Sequence, residues 1–191
     1  MHRCRAPRAL RGVSGMVTDL CDHIVDIVAN SLRAEAKHIG IFVTEDFATN
    51  RLSILIRDDG NGMDERTVRG VADPFFSTKM GKKIGLGVPL LKGTAEICNG
   101  EFNIKSFRGQ GTEVSASFQL DHPDLPPLGN LKDTILVLLV SNPETDFTFR
   151  YSAGEKNFAL DTKQMREPLG SVPLNHPKVI AFLRSYLEEN L

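Results

Sequence analysis

The pattern of apolar and polar positions predicts alternating helices and strands over the first two thirds of the chain. Residues 17–36 repeat apolar side chains with the period of an amphipathic helix. Residues 52–57 are typical of a strand, and residues 82–99 predict a second helix. Residues 101–107 and 112–120 alternate apolar and polar side chains, so they predict a hairpin with one buried face.

The last third of the chain, residues 122–191, begins with a proline-rich connection. Residues 131–140 are strongly apolar and predict either a buried helix or a buried strand. A hairpin is predicted from residues 147–151 and 157–160, and an amphipathic helix from residues 177–189. We therefore expect a small α/β extension, either a structural cap packed on the preceding domain or a docking surface.

The first candidate for chemistry is the loop that follows the predicted strand, Asp-Asp-Gly-Asn-Gly-Met at residues 58–63. Asp58 can accept a hydrogen bond from an exocyclic amine. Gly60 and Gly62 carry no side chain, so the backbone beside them can approach a flat ring closely. Asp-Gly and Asn-Gly are also ordinary turn formers, so the loop alone leaves a simple turn open.

The second candidate lies on the polar arc of the first helix. That arc holds Asp22, His23, Asp26, Asn30 and Arg33. Asp26 and Asn30 are four residues apart and therefore lie one turn from each other on the same face. A carboxylate there can orient a water or a hydroxyl, and an amide oxygen can ligate Mg²⁺. A solvated polar face is the alternative interpretation.

The third candidate is Gly85-Leu86-Gly87, at the start of the second predicted helix. Unpaired N–H groups and the helix dipole favour an anion at such a position. Three lysines come just before it, Lys79, Lys82 and Lys83. Their charge suits a triphosphate, although a solvated loop would also carry lysines.

Taken in order, these elements resemble the ATP-binding domain shared by histidine kinases, type II topoisomerases, heat-shock chaperones and mismatch-repair ATPases, the GHKL or Bergerat-fold superfamily. The resemblance covers about residues 20–120. It implies an α+β fold, a two-layer α/β sandwich in which helices cover one face of a mixed sheet, followed here by the small C-terminal extension. Residues 26–36 look like the N box of the superfamily, which implies that Asn30 ligates Mg²⁺.

The remaining motifs follow in the order of the superfamily. Residues 58–62 match the first glycine box, whose aspartate reads the adenine amine, and residues 73–79 look like the F box that flanks the ATP lid of histidine kinases. Residues 85–87 match the second glycine box, and residues 109–112 match the third motif. The resemblance implies ATP and Mg²⁺ as ligands, with Asp26 as the catalytic candidate. The implied nucleotide-binding residues are Asn30, Asp58, Gly60, Gly62, Met63, Lys79, Gly85, Leu86, Gly87 and Thr112.

Three departures from the superfamily pattern affect the expected function. Lys83 stands where histidine kinases usually begin the second box with glycine, so that end of the lid should be more cationic. Asp26 stands where the related ATPases place a longer glutamate, and the positioning of water depends on such reach. Only about twenty residues precede the N box, too few for a phosphoacceptor hairpin, so we do not expect a self-phosphorylating sensor kinase.

Composition places the chain among soluble proteins, and we expect a cytoplasmic location. No apolar run approaches the roughly 20 residues that span a bilayer, and the three cysteines indicate neither a disulfide framework nor a zinc site. A formal charge of −1 without a basic block indicates no nucleic-acid partner. Residues 1–15 carry four arginines and no acid. We expect a disordered arm or a translation start at Met16, then an ATP-binding domain over 16–121 and the extension over 122–191.

Three functions remain open at this point. One is a Mg-ATP-dependent kinase of bacterial signalling that phosphorylates a partner protein on serine or histidine, as the anti-sigma-factor kinases of the superfamily do. The second is an ATPase whose hydrolysis drives a conformational cycle. The third is a non-catalytic ATP sensor that regulates a partner. The sequence does not distinguish among them, and it identifies neither the partner, nor the oligomeric state, nor the role of the extension.

Overall fold

A computed structural model of the chain describes residues 19–71 and 86–191. Within these two ranges, six helices and one six-stranded sheet follow each other in the order given next. The elements are α1 (Leu20–Arg33), β1 (His38–Asp46), β2 (Arg51–Asp58), α2 (Glu65–Val71), α3 (Gly87–Ile97), β3 (Phe102–Ser106), β4 (Thr112–Gln119), α4 (Leu131–Ser141), β5 (Asp146–Ala153), β6 (Lys156–Asp161), α5 (Thr162–Leu169) and α6 (Pro177–Asn190).

The strands are arranged in the order β3-β4-β2-β1-β5-β6. The pair β1–β5 is parallel, and the other four neighbouring pairs are antiparallel. The register places one row of apolar residues across all six strands, on the face that packs against the helices. The row runs Ile104, Val114, Ile56, Ile41, Phe149, Leu160. Five of its members are at most 4% exposed, so the two layers share a continuous core.

Helix α1 packs against β2 and α3. The backbone N–H groups of its first turn have hydrogen-bond acceptors in two different segments. Asp19 is the N-cap, and its Oδ1 accepts from the Asp22 N–H at 3.0 Å, an arrangement worth about 1 kcal/mol. The N–H groups of Leu20 and Cys21 donate to the carbonyls of Pro127 and Leu128 at 2.9 and 3.1 Å. The proline-rich connection therefore satisfies backbone donors that a helix start normally leaves free.

The predicted α+β class, with helices on one face of a mixed sheet, is confirmed. Both hairpins form, and residues 131–140, left open between helix and strand, belong to the helix α4. The first helix is shorter than the predicted 17–36, because Asp19 caps its start and Glu35 takes a positive φ of 62° just after its end. Strand β1 and the helices α2 and α5 were not predicted from the periodicity.

Residues 122–191 continue the sheet of the preceding residues. Strand β5 pairs with β1, so that Ile39 lies opposite Phe147 and Ile41 opposite Phe149. Phe147 and Phe149 are at most 2% exposed and belong to the same core as α1. Across residues 19–71 and 86–191, no helix is long and apolar enough to cross a membrane.

Candidate functional site

A cavity of about 310 Å³ opens between α1, α2, α3 and the strands β2, β3 and β4. This volume lies at the lower end of the roughly 300–1,000 Å³ found for small-molecule sites. Most of the wall is apolar, and a few polar side chains from α1, α2, β2 and β4 interrupt it. The lining residues are Ile27, Asn30, Ser31, Arg33, Ala34, Asp58, Gly62, Met63, Thr67, Val71, Val88, Ile104, Thr112 and Val114.

Asp58 ends β2 and presents a carboxylate that is held by three hydrogen bonds. Its Oδ2 accepts from Ser31 Oγ at 2.6 Å, and its Oδ1 accepts from the N–H groups of Gly60 and Thr112 at 3.0 and 3.1 Å. An ionised carboxylate offers about four acceptor positions. Three are filled within the protein, so one position on Oδ2 is left for a donor in the cavity.

The loop around Asp58 is packed too tightly for side chains at two glycines. Gly62 has a φ of 61°, and a Cβ added there would lie 2.0 Å from the Phe107 carbonyl oxygen. Gly111 has a φ of 81°, and its Cβ would lie 1.8 Å from the Asp58 carbonyl oxygen. Both positions therefore require glycine for a left-handed backbone and for close approach. At Gly60 a Cβ would lie 2.7 Å from the Ala34 carbonyl oxygen.

A second hydroxyl, that of Ser106 at the end of β3, links this loop to the β3–β4 turn. Ser106 Oγ accepts from the Met63 N–H at 2.8 Å and donates to the Gly111 carbonyl at 2.9 Å. It also lies 2.9 Å from Thr112 Oγ1. Ser106 is 8% exposed, so the network is shielded from water and holds the loop in one conformation.

On the polar arc of α1, Asn30 and Asp26 have different surroundings. Asn30 is half-buried in the cavity wall, and its Oδ1 accepts from Arg33 Nη1 at 2.7 Å. Asp26 is exposed and lies against the start of α3. A Cβ at Gly87 would come within 2.5 Å of the Asp26 Cβ and 2.8 Å of its Oδ2. Glycine at position 87 therefore allows the Asp26 carboxylate to lie beside the first turn of α3.

The start of α3 has the features of an anion site next to Asp26. Its N-cap is Leu86, whose apolar side chain makes no capping hydrogen bond. First-turn N–H groups without a cap attract negative charge, aided by the helix dipole. Leu86 itself is 58% exposed and is not among the residues that line the cavity.

His23 is buried, although the helical periodicity places it on the polar arc. It is 1% exposed and packs between α1 and α3, where its Nε2 lies 3.3 Å from Thr94 Oγ1. Burial lowers the pKa of His23 below 6.5, and the nearby carboxylates of Asp26 and Asp22 offset only part of that effect. The ring is therefore neutral at pH 7 and acts as a packed core residue of the α1–α3 contact.

The structure thus brings Asn30, Asp58, Gly62, Met63 and Thr112 to one cavity. Gly60 lies directly under the Asp58 carboxylate. Lys79 and Gly85 lie outside the described residues, as do residues 73–79 with the predicted F box. Ser31 and Ser106 were not predicted. Ser31 offered one signal, since it is a hydroxyl on the otherwise apolar arc of α1, whereas Ser106 offered none.

Comparison with known proteins identifies the class. Residues 15–122, more than half of the chain, match the family described as Histidine kinase-, DNA gyrase B-, and HSP90-like ATPase. The chain belongs to this family, and the resemblance to the GHKL superfamily predicted from the order of its motifs is confirmed.

Curated relatives include sporulation kinase C of Bacillus subtilis (strain 168), 28% identical over 100 residues, and the sensor protein kinase WalK of Staphylococcus haemolyticus (strain JCSC1435), 30% identical over 104 residues. These matches cover 52% and 51% of this chain, but only 23% and 17% of the relatives. The chain therefore corresponds to less than a quarter of either kinase.

A solved structure with the same fold is the Aquifex aeolicus MutL ATPase domain complexed with ADP. It has a TM-score of 0.52 at 15% sequence identity, and the likeness covers 89% of this chain and 88% of that domain. At this identity the likeness shows the fold, which is the Bergerat fold, and it extends into the C-terminal third of the chain.

Gly62 and Gly109 both have a positive φ but differ in their surroundings, which predicts a difference between their alanine substitutions. Gly62→Ala should destabilise the protein by more than about 3 kcal/mol, because it combines a left-handed backbone with a contact of 2.0 Å to the Phe107 carbonyl. Gly109→Ala is the matched control, since its φ is 73° but no atom lies within 4 Å of the added Cβ. It should cost only about 1–2 kcal/mol. Urea unfolding of both variants measures the difference, and equal losses would contradict the close packing at Gly62.

Proposed function

We propose that the chain binds Mg-ATP in the cavity beside Asp58 and transfers the γ-phosphate to a partner protein in bacterial signalling. The Asp58 carboxylate is the observation that carries the proposal. Three hydrogen bonds from Ser31, Gly60 and Thr112 fix it, and one acceptor position stays open in the cavity. This suits a single exocyclic amine, such as that of adenine.

The wall of the cavity supports an adenine ring next to that carboxylate. Met63, Ile104 and Val114 provide apolar surface for the faces of a flat ring, and Gly62 lets the backbone lie close to it. The MutL domain with the same fold is described as complexed with ADP. An apolar slot with one oriented carboxylate is the usual composition of a site that recognises a heterocycle.

The phosphates would then lie toward Asn30 and the start of α3. Mg²⁺ is commonly bound through one or two protein oxygens, substrate phosphates and waters. The described residues contain no group of three or more His, Cys, Asp or Glu side chains that could hold a metal ion alone. Asn30 fits the role of a single amide ligand. When bound, Mg²⁺ would neutralise phosphate charge, and the Asn30 oxygen, which accepts one hydrogen bond from Arg33, has a second lone pair to offer the metal.

Two features support phosphotransfer to a protein. The curated relatives are named as kinases, although this chain corresponds to only a part of them. Asp26 lies beside the uncapped start of α3, where a carboxylate can orient a partner hydroxyl toward the γ-phosphate. The same position would also serve to orient water, so an ATPase that drives a conformational cycle is the second candidate. A non-catalytic ATP sensor is the third.

ATP labelled at the γ-phosphate distinguishes the three functions when it is incubated with the pure protein and then with a cell extract. Label on a partner protein supports the kinase. Released phosphate without labelled protein identifies an ATPase, and bound ATP with neither product identifies a sensor. No binding of ATP at all would overturn the proposal.

Asp58→Ala should weaken ATP binding about tenfold or more, because an adenine amine left without its acceptor costs about 1–3 kcal/mol. Calorimetry on the folded variant measures the affinity. Asp59→Ala is the control, since the Asp59 carboxylate accepts from the N–H groups of Lys37 and His38 and does not line the cavity. An unchanged ATP affinity in Asp58→Ala would show that this loop does not recognise adenine.

Asn30→Ala should abolish the tightening of ATP binding by Mg²⁺ while leaving adenosine binding intact. Arg33→Ala is the matched control, because it removes the hydrogen bond to the Asn30 oxygen but keeps the amide. It should preserve the Mg²⁺ effect. ATP titrations with and without Mg²⁺ give the comparison. The same Mg²⁺ dependence in Asn30→Ala and in the parent would mean that Asn30 does not bind the metal and only forms part of the polar face of α1.

Asp26→Asn should preserve ATP binding and slow phosphotransfer or hydrolysis by about 10²–10⁴-fold, the usual worth of a positioned general base. Asp22→Asn changes a carboxylate one turn earlier on the same exposed face and should leave the rate near that of the parent. Rates from single-turnover assays decide the point. Retained turnover in Asp26→Asn would mean that another group accepts the proton.

A further inference from the structure

A second cavity, of about 580 Å³, lies between β6, α5 and α6, at the edge of the sheet opposite β3, and it shares no lining residue with the cavity beside Asp58. Its wall is almost entirely apolar and includes Leu160, Met165, Leu169 and Val179. It is a groove rather than an enclosed pocket, because Phe182 on its rim is 58% exposed. An open apolar groove beside a helix suits a second helix better than a small molecule, since small-molecule sites bury most of the ligand.

The rim of the groove carries exposed aromatic surface. The Phe182 ring stacks on Tyr186 at a centroid distance of 6.0 Å and an interplanar angle of 17°. Tyr186 in turn contacts Phe158, which is 6% exposed, at 5.7 Å. Phe182 is therefore held by a row of rings that leads back to the core, and it presents a rigid apolar surface to solvent.

The exposed face of α6 has a self-complementary order. At 100° per residue, Lys178, Phe182, Ser185 and Glu189 fall within one narrow arc, with Ala181 at its edge. The two charged residues stand at opposite ends of the helix, about 16 Å apart at a rise of ~1.5 Å per residue. Among residues 19–71 and 86–191, neither Lys178 nor Glu189 makes an ion pair.

We propose that α6 pairs in an antiparallel manner with α6 of a second copy of this chain, about a two-fold axis between Phe182 and Ser185, along the rim of the groove. In this pairing Lys178 of each copy lies opposite Glu189 of the other. Phe182 lies opposite Ser185, and Tyr186 lies opposite Ala181. Each large ring thus meets a small side chain and each charge meets its opposite, which is what a two-fold interface requires.

The symmetry of the pattern favours a second copy over an unrelated partner. An unrelated helix would have to carry both complementary charges at the matching spacing. A second copy of α6 already carries them, because both charges lie on one face of this helix. The helix has 14 residues, so the contact is small, and small interfaces are weak or transient. We therefore expect dimers at high protein concentration.

Sedimentation equilibrium of the full chain at about 10 µM to 1 mM, a range suited to small interfaces, tests the proposal. The parent should dimerise. Lys178→Glu and Glu189→Lys should each weaken the dimer about tenfold, because the two-fold axis creates two like-charge contacts per substitution. The double variant, with the charges exchanged, should restore the affinity of the parent.

Arg184→Glu is the matched control, since Arg184 lies on the other side of α6 beside Asn130 and Asp133 of the α4 region. The same charge reversal there should leave dimerisation unchanged, and circular dichroism checks that each variant is folded. A monomeric parent at every concentration would overturn the proposal. So would a dimer that the single substitutions leave intact or that the exchanged charges fail to restore.

Discussion

The hydrogen bonds of the Asp58 carboxylate join three elements that are distant in sequence. Ser31 donates from α1, Gly60 from the loop after β2, and Thr112 from the start of β4. A half-buried carboxylate with too few donors would be costly. The three donors therefore specify how close α1 can lie to the sheet and where the loop must turn. The cavity is the space left when these distances are satisfied.

The other features of the site follow from this arrangement. The Gly111 backbone lies against the Asp58 carbonyl, and Ser106 ties that backbone to Met63. In the middle of α1, Asp26 lies against Gly87, so one helix contacts both ends of the site. A rigid end at Asp58 and a more exposed end at Asp26 suit a ligand with a flat ring and a charged tail, since pre-formed polar contacts give recognition at a low ordering cost.

Much of the arrangement could be predicted from local sequence, because its elements have local causes. Asp58, Gly60 and Gly62 follow a strand directly, and the periodicity of α1 places Asn30 and Asp26 on one face. Ser31 and Ser106 could not be assigned, because a hydroxyl in an apolar pattern gives no sign of the distant group it bonds.

The features that were not predicted from the sequence escaped prediction for physical reasons too. Strand β1 (His38–Asp46) has a run of buried residues from Ile39 to Ile41, because the ring of Phe42 lies over Gly40 on the other face of the strand. Glycine and phenylalanine at these positions interrupt the alternation of apolar and polar residues by which a strand is predicted. Helices α2 and α5 have only 7 and 8 residues, too short for periodicity to be read with assurance. His23 is buried because α3 covers it, a tertiary contact that overrides the helical pattern.

The parallel pairing of β1 with β5 has a consequence for the order in which the chain can fold. It joins residues such as Thr44 and Ser152, which are 108 positions apart, whereas β1 and β2 are neighbours in sequence. During synthesis, β1, β2 and α1 are complete long before β5 emerges. Until β5 is synthesised, one edge of β1 has unpaired N–H and C=O groups beside apolar side chains. Such an edge readily pairs with other chains. The extension therefore serves the nascent protein as the strand that ends this exposure.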